Sequence, residues 1–162
     1  MKNLFFFLII FFITLKIVIA EKSFAPIADN KPILVYAIND AGGEVDLKWS
    51  TLRSDADAGQ TGISTVKYLV FRKEGTYFSN LDINTLYNEG IVIDTISQTV
   101  TFGIPDYSFI YWSDNNTNNL NASKLLNGYY YTYTIVAFDI SDSQYSLPSD
   151  TKTVYVDTAG PI

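Results

Sequence analysis

The stretch Leu125–Asp139 reads Leu-Leu-Asn-Gly-Tyr-Tyr-Tyr-Thr-Tyr-Thr-Ile-Val-Ala-Phe-Asp. Aromatic and β-branched residues fill its second part and favour a strand, and the Asn-Gly pair before them is a turn signal. Successive side chains of a strand point to opposite faces of the sheet. Tyr131, Tyr133 and Ile135 therefore share one face, which we predict to be buried.

Segments of the same kind follow one another along the chain, separated by turns rich in Gly, Asn, Asp and Pro. No stretch has helical periodicity over three or four turns, and only Leu81–Glu89 is compatible with a short helical turn. The predicted strands are Ile33–Ile38, Val45–Trp49, Val66–Arg72, Ile91–Asp94, Thr99–Phe102, Tyr107–Trp112, Tyr129–Asp139 and Thr151–Val156. About seven to eight short strands predict an all-β sandwich of two sheets.

Five segments resemble fibronectin type III domains, in the order in which that family has them. Leu125–Asp139 is similar to the F-strand region, Trp49 to the buried B-strand tryptophan and Tyr68–Arg72 to strand C. Trp112–Asp114 resembles the end of strand E, and Ser146–Ser149 the start of strand G. The resemblance implies a single immunoglobulin-like β-sandwich. It also implies a "tyrosine corner", in which the Tyr131 hydroxyl bonds to the backbone near Leu125.

The resemblance covers about residues 31–158 and departs from the family at insertions near residues 75–90 and 115–124. Residues 21–30 are then an N-terminal extension, and residues 159–162 a C-terminal tail. The predicted core gathers one face of three strands. Its members are Trp49, Tyr68, Val70, Tyr131, Tyr133 and Ile135.

Residues 1–20 have the order of a secretory signal peptide. A short basic start precedes an apolar run over Leu4–Leu15, and the small residue Ala20 closes the segment. A membrane anchor needs about 20 apolar residues, and Lys16 interrupts the run too early for one. Cleavage after Ala20 would leave 162 − 20 = 142 residues with a net charge of 9 − 17 = −8, since two lysines leave with the peptide.

Composition excludes several classes of function. The chain has no Cys and no His, so it can form neither a disulfide scaffold, nor a cysteine-based zinc site, nor a His-dependent triad. Its net charge of −6 argues against binding the phosphate backbone of nucleic acids. We therefore expect a binding or structural module without catalysis, cofactor or metal, either secreted or at the cell surface (periplasmic in a Gram-negative bacterium).

Alternation places one apolar set on the outward face of the predicted C–F sheet. Its members are Leu69, Phe71, Tyr130, Val136 and Phe138. Soluble monomers seldom expose large apolar patches without a partner. Two interpretations remain open. Either the patch binds an unknown protein, a cell-surface ligand or a second copy of the chain, or an inserted segment within residues 75–112 covers it.

Two alternative functions are also compatible with the sequence. Exposed loop aromatics such as Tyr77, Tyr107 and Tyr145 could stack on carbohydrate, which would make the chain lectin-like.

The same exported chain carries two N-glycosylation acceptor sequences in one polar loop, at Asn115 and Asn121.

A carboxylate-based glycoside hydrolase is the less favoured alternative, because it needs two carboxylates converging in one cleft. The candidate pairs are Asp55 with Asp57 and Asp139 with Asp142, and both fall in predicted turns, where Asp is common anyway. Residues 55–59 also resemble part of a calcium loop. The third ligand position is Gly59, and no acidic residue follows at the required spacing, so we predict no metal site.

The signal-peptide interpretation of residues 1–20 can be tested directly. We expect the exported chain to begin at Glu21, which intact-mass measurement and N-terminal sequencing of the exported protein would detect. An exported chain that still begins at Met1 and remains in the membrane fraction would indicate an anchor instead.

Overall fold

The computed structural model describes residues 31–40, 43–52, 62–102, 108–115, 124–140 and 143–157. These residues form eight strands and one short helix. The strands are β1 (Leu34–Asp40), β2 (Glu44–Ser50), β3 (Gly62–Glu74), β4 (Ile91–Phe102), β5 (Phe109–Asp114), β6 (Tyr129–Asp139), β7 (Gln144–Tyr145) and β8 (Lys152–Val156). The helix α1 spans Ile83–Glu89.

The strands form two antiparallel sheets. One has three strands in the order β1-β2-β5, and the other has five, in which β3 lies between β4 and β6. Both β7 and β8 pair with β6, at its C-terminal and N-terminal parts respectively. The prediction of an all-β chain is confirmed.

Several predicted boundaries differ from the structure. The two candidates Ile91–Asp94 and Thr99–Phe102 belong to one continuous strand, β4, which pairs with β3 along most of its length. Pairing with a long partner carries the strand through the polar residues that interrupt its apolar pattern. The short β7 was not predicted, because two residues carry no periodicity. Signal peptide, N-terminal extension and tail lie outside the described residues.

One hydrophobic core is shared by the two sheets. The three-stranded sheet contributes Leu47 and Trp49, and the five-stranded sheet contributes Tyr68 and Tyr133. All six residues of the predicted core are buried there. The Tyr131 hydroxyl accepts a hydrogen bond from the Leu126 amide at 2.9 Å, one residue from the expected partner.

Polar side chains in the core are paired across the sheets. Arg72 on β3 donates to the Asp114 carboxylate on β5 at 2.5 Å, and the Tyr133 hydroxyl donates to the same oxygen at 2.9 Å. All three side chains are buried. Burial first, and then the charge of Asp114, raise the pKa of Tyr133 far above its usual value, so the phenol stays a donor.

Two serines complete the edge of β6 where the chain between β7 and β8 leaves regular pairing. The Ser146 hydroxyl accepts from the Ala137 amide and the Ser149 hydroxyl from the Ile135 amide, both at 2.9 Å. Buried backbone N–H groups need acceptors, and here the two serine hydroxyls are those acceptors. Pro148 lies between the two serines. The edge is therefore closed without a continuous strand.

No helix in the described part of the chain has the length and apolar character that crossing a bilayer requires.

The core predicts a large effect of truncating Trp49, whose side chain is 0% exposed. Trp49→Ala should lower the free energy of unfolding by about 3–5 kcal/mol, because it removes packing and leaves a cavity. Urea unfolding followed by circular dichroism measures the loss.

Trp49→Phe is the matched control, since it keeps a ring. It removes an indole N–H that has no acceptor in the described structure. The loss of unfolding free energy should therefore be clearly smaller for Trp49→Phe than for Trp49→Ala. An alanine variant as stable as the wild type would contradict this account of the core.

Candidate functional site

The structure covers most of the outward patch that alternation predicted. Leu69, Phe71 and Val136 are buried in a second apolar cluster, together with Phe78 and Leu86 from the segment that follows β3. Phe138 is half-buried and packs against the same cluster. Only Tyr130 remains exposed. Of the two interpretations left open for this patch, the contacts of these four residues favour intramolecular cover.

Residues 76–90, here called the covering segment, form this second layer because of their local sequence. Asp82 caps α1: its carboxylate accepts from the Thr85 amide at 3.0 Å and from the Thr85 hydroxyl at 2.7 Å. The hydrogen bond from the Thr85 amide, and then that from its hydroxyl, lowers the pKa of Asp82. The cap starts the helix so that Leu86 points onto the sheet and is fully buried.

Gly90 lets the covering segment return to the sheet. A Cβ at this position would lie 2.9 Å from the Phe78 ring, 3.0 Å from the Leu86 carbonyl oxygen and 3.1 Å from that of Arg72. Two of these neighbours are backbone atoms, which cannot move aside easily. The close approach therefore requires glycine.

Glu89 fastens the covering segment to β3. Its carboxylate forms an ion pair with Lys73 at 2.7 Å, accepts from the Ser79 amide at 2.9 Å and also accepts from the Ser79 hydroxyl. The hydrogen bond from Lys73, followed by those from Ser79, lowers the pKa of Glu89 from 4.5 to about 2. The carboxylate is thus held ionised by three donors on the segment and the strand.

Beyond the covering segment, two exposed tyrosines stand side by side on one face of β6 and β8. Tyr130 and Tyr155 expose 50% and 47% of their surface. They are cross-strand partners, and their ring centroids are 5.0 Å apart. We call these two residues the tyrosine cluster. A shallow cavity of about 300 Å³ adjoins Tyr130 and is lined also by Glu74, Gly75, Thr76, Gly128 and Tyr129.

A second exposed surface lies on the outer face of the three-stranded sheet. Tyr36, Lys48 and Tyr111 stand side by side on β1, β2 and β5, because they are register partners. The Lys48 ammonium lies 4.4 Å from the Phe109 ring centroid and 5.0 Å from that of Tyr111. A groove of about 460 Å³ lies beside them and is lined by Tyr36, Asp46, Tyr111, Ser113 and Asn115, among others.

The remaining predicted site residues are scattered. Tyr77 is exposed on the covering segment, and Tyr145 packs on Phe138 with ring centroids 4.7 Å apart. Asn115 is half-buried at the end of β5. Asp139 is buried at the end of β6. Outside the described residues lie Tyr107, Asn121, Asp55, Asp57, Asp142 and the 55–59 loop.

Within the described ranges, no three His, Cys, Asp or Glu side chains come together in a group that could hold a metal ion.

Sequence reasoning placed Tyr130 on an outward face but missed its partner Tyr155, and it missed the surface on the three-stranded sheet. Tyr155 follows from alternation in Lys152–Val156, since Val154 and Val156 are buried and Tyr155 lies between them. The sequence alone does not show that Tyr36 and Tyr111 lie on either side of Lys48, because this depends on the register of three strands. Arg72 did carry a signal: alternation places it on the buried face with Tyr68 and Val70.

Comparison with known proteins assigns no family. No protein-family model and no curated protein sequence matches this chain. Solved structures overlap with it loosely. The twitchin kinase region from C. elegans (Fn31-NL-kin-CRD-Ig26) has a TM-score of 0.36 at 16% identity, and the overlap covers 80% of this chain and 17% of that one.

Two bacterial structures overlap to a similar degree. Bacteroides uniformis beta-glucuronidase has a TM-score of 0.37 at 5% identity over 79% of this chain and 13% of its own. Spo0M, a sporulation control protein from Bacillus subtilis, has a TM-score of 0.36 at 11% identity, over 80% of this chain and 49% of its own. The chain thus spans less than half the length of each of the three. The fold described above rests on its own strand pairing.

The fastening at Glu89 predicts a local pH dependence. A carboxyl group whose pKa is lowered on folding stabilises the folded state above its unfolded pKa, here about 4.5, and this contribution is lost as the pH falls through about 2. The Ser79 amide signal in nuclear magnetic resonance should therefore titrate with a midpoint near 2.

Glu89→Gln should abolish this titration and increase amide hydrogen exchange in α1, because the ion pair with Lys73 is lost. Glu44→Gln, at an exposed carboxylate on the other sheet, is the matched control and should leave the Ser79 signal unchanged. A Ser79 midpoint near 4.5, or one that persists in Glu89→Gln, would contradict the proposed fastening.

Proposed function

We propose that this chain is an exported, non-catalytic binding module, an immunoglobulin-like β-sandwich of the fibronectin type III kind, which binds a protein partner through the tyrosine cluster. Its location would be extracellular or at the cell surface. The order of residues 1–20 supports export. Strand pairing supports the fold, and the exposed tyrosine cluster supports the binding of a protein.

The pairing of the strands supports the fibronectin type III resemblance. The segments similar to strands B and E are β2 and β5, which pair in one sheet. Those similar to strands C and F are β3 and β6, which pair in the other, and the segment similar to the start of strand G leads into β8, which also pairs with β6. This is the division of strands between sheets that immunoglobulin-like sandwiches have. The hydrogen bond from the Leu126 amide to the Tyr131 hydroxyl adds a tyrosine corner.

The tyrosine cluster is the observation that carries the binding function. Its two rings stand on paired strands, so they are presented by rigid backbone and lose little side-chain entropy on binding. Tyrosine offers a large apolar face together with a hydroxyl, which is why it is enriched at protein interfaces. The adjoining cavity is shallow, and it suits side chains of a protein surface better than an enclosed small molecule.

Charge indicates the chemistry of the partner. The whole chain has a net charge of −6, and the exposed Glu74 is among the residues that line the adjoining cavity. A Lys or Arg side chain from a partner could lie over the tyrosine rings. Electrostatic complementarity would also speed the encounter. The favoured partner is therefore a protein with a basic surface.

The test replaces both central rings, in a Tyr130→Ser, Tyr155→Ser double variant, and uses affinity capture from extracellular and cell-surface material. The wild-type chain should retain a basic protein, and the double variant should lose it, because truncating a central interface tyrosine weakens binding by about tenfold or more. Raising the salt concentration should slow association with the wild type.

Tyr111→Ser is the matched control, since it removes an even more exposed tyrosine from the other sheet. It should retain the same protein. Capture that is unaffected by the double variant, or lost in the control alone, would refute the assignment of the cluster. Circular dichroism of both variants verifies that the fold is intact.

A further inference from the structure

The groove on the outer face of the three-stranded sheet is independent of the tyrosine cluster, which lies on the other sheet. Its volume of about 460 Å³ is within the range of small-molecule sites, about 300–1,000 Å³. The groove combines aromatic rings with a carboxylate, a hydroxyl and an amide. This combination points beyond the protein-binding function proposed above.

Strand register sets the width of the groove. Tyr36 pairs with Lys48, and Lys48 pairs with Tyr111, so the two rings stand on either side of β2 in one row. With strands about 5 Å apart, the two tyrosines rise from the sheet about 10 Å apart. Asp46 and Ser113 form the next row, and Asn115 follows at the end of β5. Rings thus flank the groove while polar groups lie along it.

Lys48 packs against the Tyr111 ring without filling the groove. The ammonium lies near both Phe109 and Tyr111, and neither Lys48 nor Phe109 lines the groove. Tyr111 is 66% exposed, so much of its ring is open to a ligand.

The polar groups of the groove suit hydroxyl groups. The Ser113 hydroxyl donates to the Asp46 carboxylate, which fixes the carboxylate and leaves further lone pairs to accept. The Asn115 amide can both donate and accept. Neighbouring hydroxyls of a sugar ring need such a mixture of donors and acceptors, and the carbon-bound hydrogens of the ring form an apolar face that packs on tyrosine.

We propose that this groove binds a neutral saccharide, with a sugar ring packed on Tyr111 and Tyr36 and its hydroxyls bonded to Asp46 and Asn115. The single negative charge of Asp46 disfavours acidic sugars. A cation would need more carboxylates than the one that lines the groove.

The test is a titration of the full chain, as it is exported, with neutral saccharides. The panel contains cellotetraose, xylotetraose, mannotetraose and chitotetraose, and calorimetry gives the affinity. At least one saccharide should bind. Tyr111→Ala and Asp46→Asn should each weaken its binding by about tenfold or more, because the first removes the packed ring and the second replaces a charged acceptor oxygen by an amide donor. Tyr111→Phe, which keeps the ring, should bind within a few-fold of the wild type.

The Tyr130→Ser, Tyr155→Ser double variant is the control on the other sheet and should bind the saccharide unchanged. Nuclear magnetic resonance of the unmodified chain needs no variant: the saccharide should shift the Asn115 amide signals and leave those of Tyr130 in place. A folded wild-type chain that binds nothing in the panel overturns the proposal. So does equal binding by Tyr111→Ala, or a Tyr111-dependent protein ligand in place of the sugar.

Discussion

The ion pair between Arg72 and Asp114 is the constraint on which the arrangement of the two sheets depends. Its members come from β3 and β5, which belong to different sheets, and both side chains are buried. Removing one partner of a buried pair typically costs about 3–5 kcal/mol, because the other charge is left in the core. The pair therefore penalises any packing of the sheets in which these two strands are displaced.

Two neighbouring tyrosines also hold Arg72 and Asp114 in place. The Tyr133 hydroxyl donates to the Asp114 carboxylate, and the Tyr131 ring lies 5.3 Å from the Arg72 guanidinium. Both tyrosines belong to β6, beside β3 in the same sheet. Removing two charges from water costs free energy, so two apolar side chains at these positions would stabilise the fold about as well. What the ion pair adds is a unique position for β5 relative to β3 and β6.

The five-stranded sheet is packed on both faces, by different means. One face meets the three-stranded sheet, and the other meets the covering segment through Phe78 and Leu86. This explains why Leu69, Phe71 and Val136 are apolar although they point away from the main core. The surfaces left exposed are consequently at the margin of this sheet, in the tyrosine cluster, and on the outer face of the three-stranded sheet. The two surfaces face different directions, so one chain could engage two ligands.

Sequence alone determined the strand character of the chain and its buried face. The alternation in Tyr131, Tyr133 and Ile135 needs only the geometry of a single strand, and so did the choice of Trp49, Tyr68 and Val70 for the core. The sequence also allowed a short helical turn over Leu81–Glu89, and the structure shows that Asp82 caps it through a local interaction. Only the tertiary structure decided whether Phe71 is covered, since the sequence allows both outcomes, and which side chains meet across strands. Tyr36 and Tyr111 are far apart in the chain, and the hydrogen-bond register that brings them to one groove is fixed by the packing of whole sheets.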